Sequence, residues 1–182
     1  MNLTIKDKKL LYKGKFTKLW ATYFLDKAGK EQIWEWLQRK DYIVVFPITH
    51  DGKVVLIKNF RIPMECYVME MPAGLLDQEG ESEIDAAKRE LLEETGYEAE
   101  EVIPITKFAA AAGTSNNLIH AFIATGCHKI SDKCGDETED MTVVEIAGES
   151  LIDNCLNPPD GVLFNMTTMG MYEVAKAKGL IK

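Results

Sequence analysis

Three glutamates that lie close together in the chain could bind a cation. Glu90, Glu93 and Glu94 belong to a segment, residues 81–97, whose pattern is helical. At about 100° per residue, their side chains fall within an arc of roughly 100°. Carboxylates at this spacing repel one another by only ~0.2–0.5 kcal/mol when solvated, and a divalent cation would relieve the repulsion. The spacing indicates a cation site, although a solvated acidic helix face fits it too.

The ends of this helix are marked by residues that commonly cap helices. Ser82 can cap the first turn together with Asp85, and Gly96 stands where a left-handed residue would end the helix. Arg89 and Glu93 are four residues apart, so the guanidinium can hold that carboxylate in place. A core-facing stripe is predicted on an adjoining arc, formed by Ile84, Ala87 and Leu91.

This helix and the residues before it resemble the Nudix box. The box is a Gly, five residues, a Glu, seven residues and then R-E-U-x-E-E-x-G-U, where U is aliphatic or aromatic. Glu81, the seven residues after it and R-E-L-L-E-E-T-G-Y fit the second part without a mismatch. Six residues separate Gly74 from Glu81, so we infer a single insertion in the loop 77–80 that leaves the helical carboxylates in register.

Similarity to the ADP-ribose pyrophosphatase branch of the Nudix hydrolases extends over residues 33–146. The stretch N-F-R-I-P-M-E-C-Y-V-M-E-M-P-A-G-L-L-D resembles the F-R-x-P and E-x-P-A-G-x-x-D segments of that branch. Upstream, I-W-E-W-L-Q-R resembles the segment that places an aromatic residue and an arginine on the nucleotide. One departure is Ala112-Gly113, where the branch usually has Pro-Gly, and it weakens the substrate prediction more than the reaction prediction.

The resemblance implies a fold and a domain organisation. The expected class is α/β, a Nudix-type α/β/α sandwich with a mixed β-sheet and an N-terminal β-hairpin extension. Residues 1–40 would form the strand and hairpin extension, and residues 41–182 the hydrolase domain. In this branch the N-terminal hairpin packs across a two-fold axis and completes the partner's pocket, so we expect a homodimer.

The predicted metal is Mg²⁺, with Mn²⁺ possible, because hard cations prefer oxygen ligands. We assign Glu90 and Glu94 as direct ligands, and Glu93 as a ligand that binds directly or through water. The resemblance adds the backbone carbonyl of Ala73.

The general base is predicted on a later acidic loop, residues 135–141. Glu139 aligns best with the family position, whereas Glu137 and Glu93 remain alternatives. Arg89 is counted with the catalytic group because it would neutralise and orient the carboxylates.

Aromatic and guanidinium groups are the predicted substrate contacts. Trp34 could stack on a base, while Arg39 and Arg61 could bind diphosphate oxygens as forks. Core packing of Trp34 and a surface ion pair of Arg61 fit these residues nearly as well. Trp20 and Trp36 are predicted core residues.

Three functions are compatible with these residues. The first is a divalent-metal-dependent pyrophosphatase that hydrolyses ADP-ribose or another nucleoside diphosphate sugar to a nucleoside monophosphate and a sugar phosphate. The second is a housecleaning hydrolase of oxidised nucleoside triphosphates or dinucleotides. The third is a non-catalytic ligand sensor, against which the intact Glu90, Glu93 and Glu94 argue.

Composition predicts a soluble cytoplasmic enzyme with one main core. The chain has 182 residues, 46% of them hydrophobic, and a net charge of −8, which argues against broad binding of nucleic acid or anionic membranes. Its four cysteines lack metal-site spacing and are predicted to be reduced thiols. The N-terminus has no apolar signal region, and no apolar run approaches the length of a membrane helix.

Alternating stretches, β-branched runs and turn residues predict the remaining elements. Two hairpins are expected, 16–25 with 32–38 and 42–49 with 54–60, the second joined through His50-Asp51-Gly52. Further strands are predicted at 100–107, 118–125 and 141–146, and a final helix at 163–178.

Overall fold

The structure, a computed structural model, describes residues 3–132, 134–135 and 139–181. The chain forms two compact units, one comprising Met1–Tyr42 with Lys107–Ile119 and the other Ile43–Thr106 with His120–Lys182. The division into an extension of residues 1–40 and a hydrolase domain of residues 41–182 stays a prediction.

Within the described residues, the chain contains twelve strands and three α-helices. The strands are β1 (Thr4–Lys13), β2 (Lys18–Leu25), β3 (Glu31–Gln38), β4 (Tyr42–Thr49), β5 (Lys53–Arg61), β6 (Cys66–Glu70), β7 (Ala73–Leu75), β8 (Tyr97–Glu98), β9 (Glu101–Ala109), β10 (Leu118–Lys129), β11 (Met141–Ala147) and β12 (Val162–Phe164). The helices are α1 (Glu83–Thr95), α2 (Leu151–Leu156) and α3 (Met166–Ala177).

The first unit contains a three-stranded antiparallel sheet in the order β1-β2-β3. The predicted hairpin between β2 and β3 is confirmed, and Asp26 stabilises its turn by accepting the amide hydrogens of Ala28 (2.9 Å) and Lys30 (3.0 Å) through Oδ1. Strand β1 was not predicted, because its mixed charged and apolar residues are exposed along its whole length.

Trp20 and Trp36 are not core residues, contrary to the prediction. They face each other across β2 and β3 as a register pair, with ring centroids 6.0 Å apart and an interplanar angle of 14°. Both rings are half-buried, and each indole N–H is bonded, to Gln38 and to Thr22 respectively. Cross-strand stacking therefore shields these rings in place of a packed core.

The second unit is built on a mixed sheet in the order β12-β6-β5-β4-β10-β8, with β11 also on β5, β7 on β4 and β9 on β10. Strands β4 and β5 form the predicted hairpin, in which Gly52 takes a positive φ of 80°. The pairing of β12 with β6 is parallel and that of β5 with β6 is antiparallel, so the predicted mixed sheet is confirmed.

Helix α1 packs its apolar side on this sheet and has the predicted caps. Ser82 Oγ accepts the Asp85 amide hydrogen (3.1 Å), and Gly96 ends the helix at φ 73°. Ala87 and Leu91 are buried as predicted, whereas Ile84 is 39% exposed and is not a core residue. The core that the helix joins is formed by Ile43, Val45, Val55, Ala86, Ala87, Leu91, Tyr97, Phe122, Ala124 and Cys127.

The predicted C-terminal helix is present, but it begins later than predicted. Residues 162–164 form β12, and the helix α3 begins only after Asn165, whose side chain accepts the Thr167 amide hydrogen (3.0 Å). The short helix α2 was not predicted. No described helix has the length and apolar character needed to span a bilayer.

Candidate active site

A cavity of about 440 Å³ in the second unit collects most of the predicted catalytic and metal-binding residues. It is lined by Ala73, Gly74, Leu75, Asp77, Glu90, Glu93, Glu94, Gly135 and Glu139. Strand β7 with the loop after it, the carboxylate side of α1 and the loop before β11 each contribute to the lining. Residues that are remote in sequence therefore meet around one acidic space.

Gly74 makes room for one of these carboxylates. A Cβ atom built at this glycine would lie 1.9 Å from both Cδ and Oε1 of Glu90. No side chain fits there while Glu90 keeps its position. The first glycine of the box is thus explained by the close approach of the β7 backbone to the helix.

Arg89 links three carboxylates on and before the helix. Its Nε and Nη2 donate to the two carboxylate oxygens of Glu81, at 2.7 and 3.0 Å. Its Nη1 donates to Glu90 Oε1 (2.6 Å) and to Glu93 Oε2 (3.1 Å), so the predicted Arg89–Glu93 ion pair is present. The forked contact fixes the guanidinium plane and thereby orients the helical carboxylates.

Glu94 is the most buried carboxylate of the helix. Its Oε2 accepts the backbone amide hydrogen of Ala73 at 2.8 Å. Burial raises the pKa of Glu94 to about 8, with further increments from the charges of Glu90, Glu139 and Glu70, while the Ala73 hydrogen bond acts in the opposite direction. Burial also raises the pKa of Glu90, against the effect of Arg89. Both groups lie where negative charge is poorly solvated.

The donor set of the cavity fits a hard divalent cation. Its charged donors are all carboxylates, and a bound cation would offset both the burial and the neighbouring negative charges that raise the pKa of Glu94. In the described part of the chain, no three His, Cys, Asp or Glu side chains converge closely enough to hold an ion. Glu90 and Glu93 are turned towards Arg89, and Glu94 towards the Ala73 amide. Binding of a cation would require these carboxylate oxygens to turn towards the ion.

Glu139 lines the same cavity, on the loop before β11. Gly135, earlier in that loop, donates its amide hydrogen to the Glu93 carbonyl (3.0 Å) and has a positive φ of 64°. This bond attaches the loop to the last turns of α1. The alternative base Glu137 lies outside the described residues, and Glu93 is half-exposed at the rim, so the choice of base stays a prediction.

Arg61 is paired with a carboxylate that sequence reasoning missed. Its Nε donates to Glu70 Oε1 at 2.6 Å, and Glu70 is a buried residue at the end of β6. The only sequence signal was the position of Glu70 in the E-M-P-A-G segment. Asp77, which also lines the cavity, lies in the loop where the insertion was inferred.

Trp34 and Arg39 belong to the first unit. Trp34 is 56% exposed, which excludes core packing, and its indole N–H donates to the Gly113 carbonyl at 2.9 Å. Arg39 is exposed, and its backbone amide donates to Asn116 Oδ1 at 3.1 Å. The loop that carries Ala112 is thereby bound to β3. Their roles in substrate binding stay predictions.

The loop before α1 absorbs its extra residue without disturbing the helix. Gly80 takes a positive φ of 82°, and Glu81 N donates to Gln78 O at 3.4 Å. Glu81 still reaches Arg89, and α1 still begins at Glu83. The helical carboxylates therefore keep the spacing of the box.

The chain matches a model of the NUDIX domain over residues 38–148, and it belongs to the Nudix family of hydrolases. The sequence resemblance to that family is confirmed.

Several curated proteins are similar to this chain over most of its length. It is 32% identical over 146 residues to the ADP-ribose pyrophosphatase of Bacillus subtilis (strain 168), which covers 80% of this chain and 78% of that protein. It is 33% identical over 144 residues to the methanol dehydrogenase activator of Bacillus methanolicus, covering 79% and 77%. It is 31% identical over 140 residues to a GDP-mannose pyrophosphatase of Yersinia enterocolitica, covering 72% and 71%.

A solved structure has the same fold. The crystal structure of an ADP compounds hydrolase matches with a TM-score of 0.80, covering 100% of this chain and 98% of that one, at 22% identity. The predicted α/β Nudix fold is confirmed.

Proposed function

We propose that this protein is a divalent-metal-dependent pyrophosphatase that hydrolyses ADP-ribose or another nucleoside diphosphate sugar to a nucleoside monophosphate and a sugar phosphate. The observation that carries the proposal is the carboxylate cavity in which Glu90, Glu93 and Glu94 of the box helix meet Glu139. The relatives named as pyrophosphatases of ADP-ribose and GDP-mannose support the substrate class.

Glu90 and Glu94, with Glu93 and the Ala73 carbonyl, would hold the metal. We propose Mg²⁺ as the physiological ion, with Mn²⁺ as a substitute, since both favour oxygen donors. When bound, such an ion supplies charge neutralisation at the diphosphate and lowers the pKa of water.

The remaining steps fall to side chains of this chain. Glu139 would accept the proton of the attacking water at its carboxylate, because it reaches the cavity from a loop outside the helix. Arg89 would keep Glu90 and Glu93 aligned. Arg61 and Arg39 would bind phosphate oxygens, and Trp34, whose ring is exposed, would stack on the base.

A substrate panel tests this function. Purified protein is given ADP-ribose, ADP-glucose, GDP-mannose, UDP-glucose and oxidised dGTP, each with and without Mg²⁺, and the released phosphates are identified. We expect cleavage of at least one diphosphate sugar, dependent on the ion, with the monophosphate as product. A clear preference for the triphosphate would favour the housecleaning alternative, and no turnover of any compound would favour a sensor.

We further propose that the protein is a homodimer formed through the sheet β1-β2-β3. Large apolar side chains are exposed on this sheet: Ile5, Leu10, Leu11, Tyr12 and Ile33. Exposed apolar surface of this extent commonly marks an association site. Sedimentation of the parent and of the Ile5→Glu/Leu11→Glu variant tests it: we expect a dimer and a monomer, respectively, and a monomeric parent would contradict it.

We propose the cytoplasm as its location. All four cysteines are free, which suits a reducing compartment.

A further inference from the structure

Glu70 is a buried carboxylate for which the proposed mechanism has no use so far. Among the described residues, the only buried acidic residues are Glu70 and Glu94, and Glu94 is a predicted metal ligand. A buried carboxylate is retained at a cost in solvation unless charge and hydrogen bonding compensate for it. Glu70 therefore calls for a physical explanation.

The compensation comes from Arg61. Its Nε donates to Glu70 Oε1 at 2.6 Å, and the Glu70 side chain is 10% exposed whereas that of Arg61 is 45% exposed. The carboxylate of the pair is therefore held within the protein, whereas the guanidinium is accessible to solvent. Because the contact uses Nε, it leaves both terminal nitrogens of the guanidinium available to a second anion.

Glu70 ends β6 three residues before Ala73, which lines the acidic cavity, so the pair lies near that cavity. Burial opposes the charge of Arg61, but the hydrogen bond to Glu70 and the charges of Glu70, Glu94 and Glu139 outweigh it and raise the pKa of Arg61. In the other direction, the charge of Glu70 contributes to the raised pKa of Glu94. A guanidinium near these carboxylates is a permanent cation beside the place where an anionic substrate would bind.

We propose that Glu70 is a positioning residue, which holds Arg61 through Nε so that the terminal nitrogens of the guanidinium bind the diphosphate of the substrate. An unanchored arginine side chain samples many rotamers, whereas a fixed guanidinium loses less entropy for each hydrogen bond formed. The inference rests on the proposed function, because it takes a nucleoside diphosphate sugar as the ligand.

A double-mutant cycle on Glu70 and Arg61 tests the inference. Arg61→Ala is expected to raise KM for ADP-ribose about tenfold, the size expected for the loss of a charge-assisted contact. Glu70→Ala should raise KM by a similar factor with little change in kcat. In the Arg61→Ala background, Glu70→Ala should have no further effect on KM, because the group that it positions is already gone.

Glu70→Gln is a milder substitution than Glu70→Ala, and we expect the variant to fold. It should have a smaller effect on KM. The amide oxygen can still accept from Nε, so KM should rise less than in Glu70→Ala, by about threefold. Binding of α,β-methylene ADP-ribose, measured by calorimetry with Mg²⁺ present, should follow the same order. This measurement needs no turnover and reports on positioning directly.

Glu145→Gln is the matched control. Glu145 is a partly buried carboxylate on β11, and it accepts from Lys53 Nζ at 2.8 Å. It does not line the carboxylate cavity. The control should lower the melting temperature and leave KM unchanged.

Two results would overturn the inference. One is an equal further rise in KM when Glu70→Ala is added to Arg61→Ala, which indicates a general structural role. The other is a KM unaffected by Glu70→Ala in a parent that cleaves diphosphate sugars. If the parent cleaves none of these compounds, the proposed function itself is wrong. This outcome is distinct from a failure of the inference about Glu70, which requires an active parent.

Discussion

At the scale of single residues, Glu90, Glu93 and Glu94 differ in environment although they share one arc of α1. Glu94 is buried against the Ala73 amide, Glu90 is wedged beside Gly74, and Glu93 is 53% exposed at the cavity rim. Ligand strength follows from preorganisation as well as from residue type, so the three positions are not equivalent.

Glu94→Gln should lower kcat by roughly 10²-fold or more and raise the Mg²⁺ concentration for half-maximal activity, because a neutral amide is a poor ligand for a hard cation. Glu93→Gln should have a smaller effect. Initial rates measured against Mg²⁺ concentration check this, with Glu173→Gln, at an exposed position of α3, as the control. A Glu94→Gln enzyme with the parent's metal dependence would show that the assigned ligands are wrong.

Glu139→Gln should lower kcat by roughly 10²–10⁴-fold, the range for loss of a general base, while leaving the half-saturating Mg²⁺ concentration near that of the parent. The pH profile of kcat distinguishes the base from a ligand, since the limb set by the base should disappear. Glu137→Gln is the natural comparison. Normal kcat across pH in Glu139→Gln would transfer the role to Glu137 or Glu93.

At the scale of elements, the site depends on how closely β7 approaches α1. The Glu90 carboxylate occupies the space that a side chain at Gly74 would need, and the Ala73 amide donates to Glu94. The strand end and the helix therefore act together, and neither forms the cavity alone.

Gly74→Ala should displace the Glu90 carboxylate, because its Cβ would lie 1.9 Å from Cδ of Glu90. We expect the half-saturating Mg²⁺ concentration to rise by about tenfold or more through loss of one ligand. Gly170→Ala on α3 is the control, since nothing lies within 4 Å of its added Cβ and alanine favours a helix. Unchanged metal dependence in Gly74→Ala would contradict the predicted role of Glu90.

At the scale of the whole molecule, the thiols provide a measure of global unfolding. Cys127 is buried in the core under α1, and burial raises its pKa to about 12, whereas the other three cysteines are partly exposed. The thiolate is the reactive form, so a buried neutral thiol reacts only when the core opens.

Cys127 should stay unmodified in native protein treated with a thiol reagent at pH 8 and become modified on unfolding in urea. Mass spectrometry of the labelled peptides measures this. The Cys127→Ser variant controls the assignment. Rapid labelling of Cys127 in the folded protein would mean that the core is looser than its packing indicates.

The parts of the fold predicted correctly have local causes. The β4–β5 hairpin follows from two β-branched, apolar runs on either side of the turn His50-Asp51-Gly52, and the ends of α1 follow from Ser82 and Gly96. The start of α3 was misplaced because residues 162–164 pair with β6, a partner distant in sequence. Trp20 and Trp36 were wrongly predicted to be core residues. The hydrophobicity of a side chain does not indicate whether other elements cover the sheet face on which it lies.

The sequence by itself determined the family, the shared arc of Glu90, Glu93 and Glu94, and the Arg89 contact to Glu93, because helical spacing fixes neighbours three and four residues apart. Only the tertiary structure decided that Glu94 is buried, that Gly74 adjoins Glu90, that Glu139 reaches the same cavity and that Glu70 anchors Arg61. These features depend on burial and on contacts between distant segments, and packing alone sets both.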